Sequence, residues 1–213
     1  MTIAQAMLRG ALALGCFALI TAGSVGLTRA LTAERIETNQ LAFQHRQLRE
    51  VLPDPLDQLE GHTLLDGAFR LPEASSLGHK EAETVEGWRV HEGNHQALIL
   101  PVVSRQGYSG AIHLLVGLDQ NARISGVRVT YHQETPGLGD KIERRKSAWI
   151  TRFDGLSLES LTPSDWAVDK DGGAFDSFSG ATITPRAVVS AVHQALLHVE
   201  EHQLLDTFEE SSP

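Results

Sequence analysis

Cysteine is nearly absent from this chain. Cys16 is the only one in 213 residues. An Fe–S cluster or zinc site built from cysteines is thereby excluded, and so is a disulfide framework. The ten histidines show no metal-ligand spacing such as HExxH, so no metal site is expected. Positive charge is also scarce: 18 Lys and Arg stand against 27 Asp and Glu, a formal net charge of -9, which argues against a nucleic-acid partner. There is no GxGxxG fingerprint for a nicotinamide dinucleotide. No nucleophile, base and orienting group can be assembled from spacing, so no catalytic residue is expected. What remains has 41 % hydrophobic residues, globular rather than disordered, with room for one ordinary domain and an anchor.

Charge is missing in one more place. Between Arg9 and Arg29 no residue is charged. The run from Gly10 to Thr28 rises about 28 Å as a helix, close to the thickness of a bilayer core. Two readings compete: a retained transmembrane anchor, and a signal peptide cleaved near Ala22-Gly-Ser24. The length of the run and the helical pattern beyond it favour the anchor. Ala13-Leu-Gly-Cys16 is a poor lipobox. Arg9 with the terminal amine on one side balances Arg29 and Arg35 on the other, so the positive-inside rule gives no orientation. Ala11, Gly15, Ala18, Ala22 and Gly26 form a stripe of small side chains, either a surface for close helix packing or simply common membrane composition.

Beyond the anchor, residues 29–55 read as a helical stalk. Ile36, Phe43 and Leu48 share a loose apolar stripe, Glu34, Arg35, Arg46 and Arg49 stay solvated, and Pro53-Asp-Pro55 ends the pattern. A domain over 56–205 follows, with its core expected from Trp88 onward. Ala97–Val103 reads as a short strand, at an edge because Pro101 lacks a donor. Residues 107–110 form a turn. Ile112, Leu114, Val116 and Leu118 alternate along a strand, Asp119–Ala122 closes a hairpin, and Val127, Val129 and Tyr131 share a face of the next strand. Residues 140–153 read as a helix through Ile142, Trp149, Ile150 and Phe153, with Arg144-Arg-Lys146 solvated. Residues 166–168 read as a further strand. The clearest helix is 187–199, with Val188, Val189, Val192, Ala195, Leu196 and Val199 on one stripe. The fold class is α+β: a sheet packed by helices behind a single N-terminal transmembrane helix. Residues 1–9 precede that helix, and 206–213 read as a solvated tail.

Two stretches carry chemistry. His132-Gln-Glu-Thr-Pro-Gly-Leu-Gly-Asp-Lys141 lies where a strand ends, and its glycines let backbone amides approach a ligand. On spacing alone it serves equally as a connector. Asp176-Ser-Phe-Ser-Gly-Ala-Thr-Ile-Thr-Pro185 places Thr184 as an N-cap and Pro185 as a first helical residue. Thr182 then lies near a helix N-terminus, where free amides and the dipole favour an anion.

The second stretch resembles the flavin-attachment motif shared by the G subunit of the Rnf/Rsx electron-transport complexes and the C subunit of the sodium-pumping NADH:quinone oxidoreductases. The first resembles the flavin-contacting loop of the same family. The resemblance covers roughly Trp88 to Val199 together with the anchor, and the chain length is closer to the Rnf/Rsx protein. Ala122 departs from the family where the hairpin often has glycine. The resemblance implies FMN esterified through its phosphate to Thr182. It implies flavin contacts from Glu134, Thr135, Pro136, Gly137, Leu138, Gly139, Lys141, Ser179, Gly180, Ala181 and Thr184, with Asp176 opening the modification motif. It also implies a flavin transferase for maturation and the other membrane subunits of the complex as partners. The domain is then expected on the periplasmic side of the bacterial cytoplasmic (inner) membrane, relaying electrons between NADH and ferredoxin or another low-potential acceptor, coupled to ion transport. The alternatives are the C subunit of the sodium pump and an anchored, non-redox binding or scaffold domain.

Overall fold

The computed structural model describes residues 3–206, apart from 60 and 82. Of the tail expected over 206–213, only Asp206 lies within the described residues. The chain up to Gln44 forms one unit and the chain from His45 onward a second.

Helix α1 runs over Ile3–Arg49. Its segment long and apolar enough to cross a membrane is Met7–Ala33, wider than the span between Arg9 and Arg29. Leu12, Phe17, Ile20 and Val25 are each more than half exposed. Polar side chains in this stretch bond within the helix: Thr21 Oγ1 donates to Phe17 O at 2.9 Å and Thr28 Oγ1 to Ser24 O at 2.8 Å. A hydroxyl satisfied this way needs no water, as a lipid environment requires.

The second unit is built on a five-stranded antiparallel sheet in simple sequence order: β1 (Ala68–Arg70), β2 (Glu86–Glu92), β3 (His95–Ser104), β4 (Ile112–Asp119) and β5 (Ile124–Tyr131). Alternation divides β4 between two covered faces. Ile112, Leu114, Val116 and Leu118 turn to the larger core with α3 (Ile183–Glu201). Leu115 turns to a smaller core made with Leu48, Val51, Leu52, Leu56 and Leu64. The hydrophobic core therefore starts well before Trp88, because the residues after α1 and the short helix α2 (Gly61–Asp66) cover the back of the sheet. The apolar stripe of α3 is as periodic as the sequence suggests: Val188, Val189, Val192, Ala195, Leu196 and Val199 are all buried.

The back-face packing depends on two glycines. Gly117 and Gly126 pair across β4 and β5. A Cβ on Gly117 would collide with the Val51 carbonyl oxygen. The register shifts just beyond this pair, where Leu118 faces Ile124. Ser125 is the extra residue, and its Oγ donates to Val51 O at 2.5 Å. This bulge also lets Ile124 and Val127, three apart, reach the same core. The hairpin between the strands keeps its shape without glycine: Ala122 adopts a left-handed φ of 57°, and Asp119 Oδ1 accepts from the amides of Asn121 and Arg123.

Three expected elements differ. The strand around Pro101 is central, paired with both β2 and β4. Pro101 is tolerated because β2 pairing ends at Ile99. On that side the Pro101 carbonyl lies 3.0 Å from His79 Nε2 instead, so no ladder donor is missed. Residues 140–153 form two separate 3-10 turns, Asp140–Ile142 and Trp149–Phe153. Glu143 ends the first turn in an extended conformation with ψ of 132°, and its side chain is bound to His132 and Arg145. Around Trp166 there is only a single parallel bridge, Val168 to Phe175.

Candidate functional site

The loop after β5 is fixed by its own polar groups. His132 Nδ1 accepts the Glu134 amide at 3.1 Å. That places the imidazole proton on Nε2, which lies 3.1 Å from Glu143 Oε1. Arg145 bonds the other oxygen of Glu143 at 2.8 Å, and chiefly this bond holds the Glu143 carboxyl below its ordinary range. The amides of Leu138 and Gly139 both reach Thr135 O. Gly137 has a left-handed φ of 79° and donates its amide to Asp140 Oδ1 at 2.8 Å. That bond, with Lys146 beside it, lowers the Asp140 pKa.

Glu134 is buried and ties three segments together. It accepts the Ser109 amide at 3.0 Å and a short hydrogen bond from the Thr184 hydroxyl. The β5 loop, the turn before β4 and the start of α3 thus meet at one carboxylate. The start of α3 differs from the expected cap. Ile183 is the first helical residue and Thr182 precedes it, with no side-chain capping bond. Thr184 is not the cap, because its hydroxyl is fully buried and committed to Glu134. Pro185 falls third in the helix, still in the first turn, where a missing amide costs nothing. The Thr182 hydroxyl is left free of the helix. Lys170 Nζ donates to it at 2.8 Å.

The preceding segment is anchored from behind. Trp149 Nε1 donates to the Asp176 carbonyl at 2.8 Å, and Phe178 packs edge-on against the same indole at 5.1 Å. The exposed Asp176 carboxylate pairs with Arg152 at 3.0 Å. Gly180, with φ of 81°, turns the chain toward Thr182.

These pieces enclose a cleft of about 320 Å³. Glu134, Thr135, Leu138, Gly139, Gly180, Ala181, Thr182 and Thr184 line it, eight of the residues singled out in the sequence. Pro136, Gly137, Lys141 and Ser179 do not line it. Lys141 instead lies 5.9 Å from the Phe178 ring. Tyr108, Lys170 and Ile183 complete the lining, and the sequence did not mark them. Only the turn signal at 107–110 hinted at Tyr108. A larger hollow of about 620 Å³, between Asn121, Ser157, Leu196 and Gln203, carries none of the motif residues.

The cleft suits an amphipathic anion. Tyr108, Leu138 and Ile183 are 69 %, 43 % and 43 % exposed and offer apolar surface in the cleft for a planar ring. The same cleft carries the Lys170 ammonium and opens beside the start of α3, both of which favour a phosphate.

Residues 107–197 match the FMN-binding domain family, and residues 1–51 match the RnfG N-terminal region. A relative from Pseudomonas aeruginosa, named as the G subunit of the ion-translocating oxidoreductase complex, is 45 % identical over 199 residues, covering 93 % of this chain and 91 % of the relative. The chain belongs to the G-subunit family of ion-translocating oxidoreductase complexes. A Vibrio cholerae member of that family is 41 % identical, covering 93 % and 92 % of the two chains. Among solved structures, the C subunit of the Na(+)-translocating NADH-quinone reductase of Parabacteroides distasonis aligns with a TM-score of 0.54 over 76 % of this chain and 91 % of that one. At 20 % identity that likeness speaks to the fold alone, so the family assignment falls to the Rnf-type protein rather than the sodium-pump one. The chain is a single-pass membrane protein with an FMN-binding domain after its anchor.

Proposed function

We propose that this G subunit relays electrons within an ion-translocating membrane complex through an FMN held covalently on Thr182, with its domain on the periplasmic side. The observation that carries this reading is the Thr182 hydroxyl. It is half-buried at the cleft wall, free of helix capping, and in contact with the Lys170 ammonium. Bound there, FMN supplies exchange between two-electron and one-electron carriers. The protein's own residues hold and shield it. Lys170 would hold the phosphate, Tyr108, Leu138 and Ile183 would offer apolar surface to the ring, and Glu134 keeps the cleft walls together. The partners are the other membrane subunits of the complex, and a flavin transferase that installs the cofactor. A phosphoester does not form spontaneously from free phosphate, so the transferase uses a flavin phosphoanhydride. Thr182 Oγ1 bonds to the flavin-side phosphorus, its proton leaves to a base, and the anhydride bond breaks to release the second phosphate portion.

Full-length protein from cells containing the transferase should keep yellow fluorescence in a denaturing gel. Thr182→Ala should abolish that fluorescence while the domain stays folded. Covalent flavin retained in Thr182→Ala would overturn the assignment.

A further inference from the structure

Four hydroxyls lie within the ten residues of the attachment motif, and the structure treats each differently. Thr184 is fully buried and donates to Glu134. Ser177 is held by the Asp169 carboxylate, through its amide at 2.9 Å and through its hydroxyl. The Asp169 carboxylate puts negative charge beside Ser177, which disfavours an incoming phosphoryl group. Ser179 is exposed, and among the described residues no cation reaches it. Thr182 alone of the four has an ammonium in contact, Lys170 Nζ at 2.8 Å.

Lys170 is held to this position by its neighbours. It sits in a 3-10 turn, Asp169–Asp171. Asp169 Oδ1 accepts the amides of both Lys170 and Ser177, which ties the turn to the attachment motif. Asp171 takes a bidentate pair from Arg186 at 2.6 and 2.8 Å, which ties it to the first turn of α3. Asp171 and Arg186 neutralise each other. Among the described residues Lys170 forms no salt bridge; the Asp169 carboxylate feels its charge through space, and its side-chain hydrogen bond goes to Thr182.

We propose that Lys170 selects Thr182 as the flavin acceptor and neutralises the phosphodiester that results. The inference rests on the assignment of Thr182 above. As Oγ1 attacks the phosphorus of a flavin phosphoanhydride, its proton leaves to a base, the Oγ1–P bond forms and the anhydride P–O bond breaks. Negative charge grows on Oγ1 and on the phosphoryl oxygens. A fixed ammonium stabilises both, and no reorganisation is needed at the moment of reaction. The product diester keeps one negative charge, and Lys170 offsets it between the apolar walls of the cleft.

The test is a time course of flavin attachment on the full-length chain in detergent, with flavin transferase and flavin dinucleotide, followed by intact mass and by mapping of the modified peptide. Lys170→Met should slow attachment at Thr182 by roughly tenfold or more, with Lys170→Glu slower still and Lys170→Arg retaining most of the rate. Lys170 is exposed, so tryptophan-monitored melting of all three variants should match the parent. Attachment at the parental rate in Lys170→Met overturns the inference. So does equal slowing in all three, which would mark a contact of shape rather than charge. Thr182→Ala run alongside separates the two claims. If it still takes up flavin, the Thr182 assignment falls and the Lys170 inference with it. If Thr182→Ala takes up none while Lys170→Met is unaffected, only the Lys170 inference falls.

Discussion

Thr182 and Thr184 are two residues apart, and replacing each with valine should give opposite phenotypes. Valine keeps the shape and removes the hydroxyl. At Thr184 the lost group is a fully buried donor to a buried carboxylate, which leaves Glu134 with the Ser109 amide. A hydrogen bond to a charged group contributes about 1.5–3 kcal/mol. For a domain of this size each kcal/mol moves the melting temperature by about 2–4 °C, so Thr184→Val should melt about 3–12 °C lower. At Thr182 the lost partner is an exposed lysine, and surface changes of this kind stay within about 0.5 kcal/mol. Thr182→Val should therefore melt with the parent yet take up no covalent flavin, whereas Thr184→Val, below its melting point, should still be modified. Fluorescence of the buried Trp149 and Trp166 reports the melting of the domain separately from the membrane helix. Equal losses of stability, or covalent flavin lost in Thr184→Val and kept in Thr182→Val, would refute the reading of this helix start.

Gly117→Ala should destabilise the domain by about 1–3 kcal/mol, because its Cβ would overlap the Val51 carbonyl oxygen; a urea midpoint equal to the parent's would show that the back face is not closed by that segment. His198 is buried beside Ser76 and His202, and burial, reinforced by His202, lowers its pKa to about 4. Since this folded value lies below the unfolded one near 6.5, stability is complete above about pH 6.5 and falls as pH drops toward 4, by about 1–3 kcal/mol. Urea midpoints of His198→Asn should lose that slope, and an unchanged slope would assign it elsewhere. Gly137→Val forces a β-branched residue into a left-handed φ of 79° and should slow flavin attachment or shift the flavin absorption bands; normal attachment and spectrum would make residues 134–141 a plain connector.

How far the sequence could be read depended on whether each feature was local. The two motif stretches are contiguous, so the family resemblance could be carried over residue by residue, and eight of the residues it implies line the cleft. Lys170 and Tyr108 reach the cleft from separate loops. Tertiary pairings bring them there, Asp169 with Ser177 and Asp171 with Arg186 for Lys170 and Ser109 with Glu134 for Tyr108, and no periodicity announces such pairings. The helix expected over 140–153 joins Ile142 to Trp149, Ile150 and Phe153, which bury through separate turns. Pro101 misled for a related reason. A missing donor requires only that no strand be paired at that point on the side the proline faces, and there β2 has already ended. Thr184 looked like the better cap from its residue type, because its burial against Glu134 depends on a residue 50 positions away.

The central claim is tested most directly by proteolysis and mass analysis of full-length protein isolated from cells that contain the flavin transferase. The peptide spanning Asp176 to Arg186 should be heavier by one FMN less one water, with fragmentation placing the added mass on Thr182. An unmodified peptide in flavin-replete protein, or the added mass on Ser177, Ser179 or Thr184, would contradict the account.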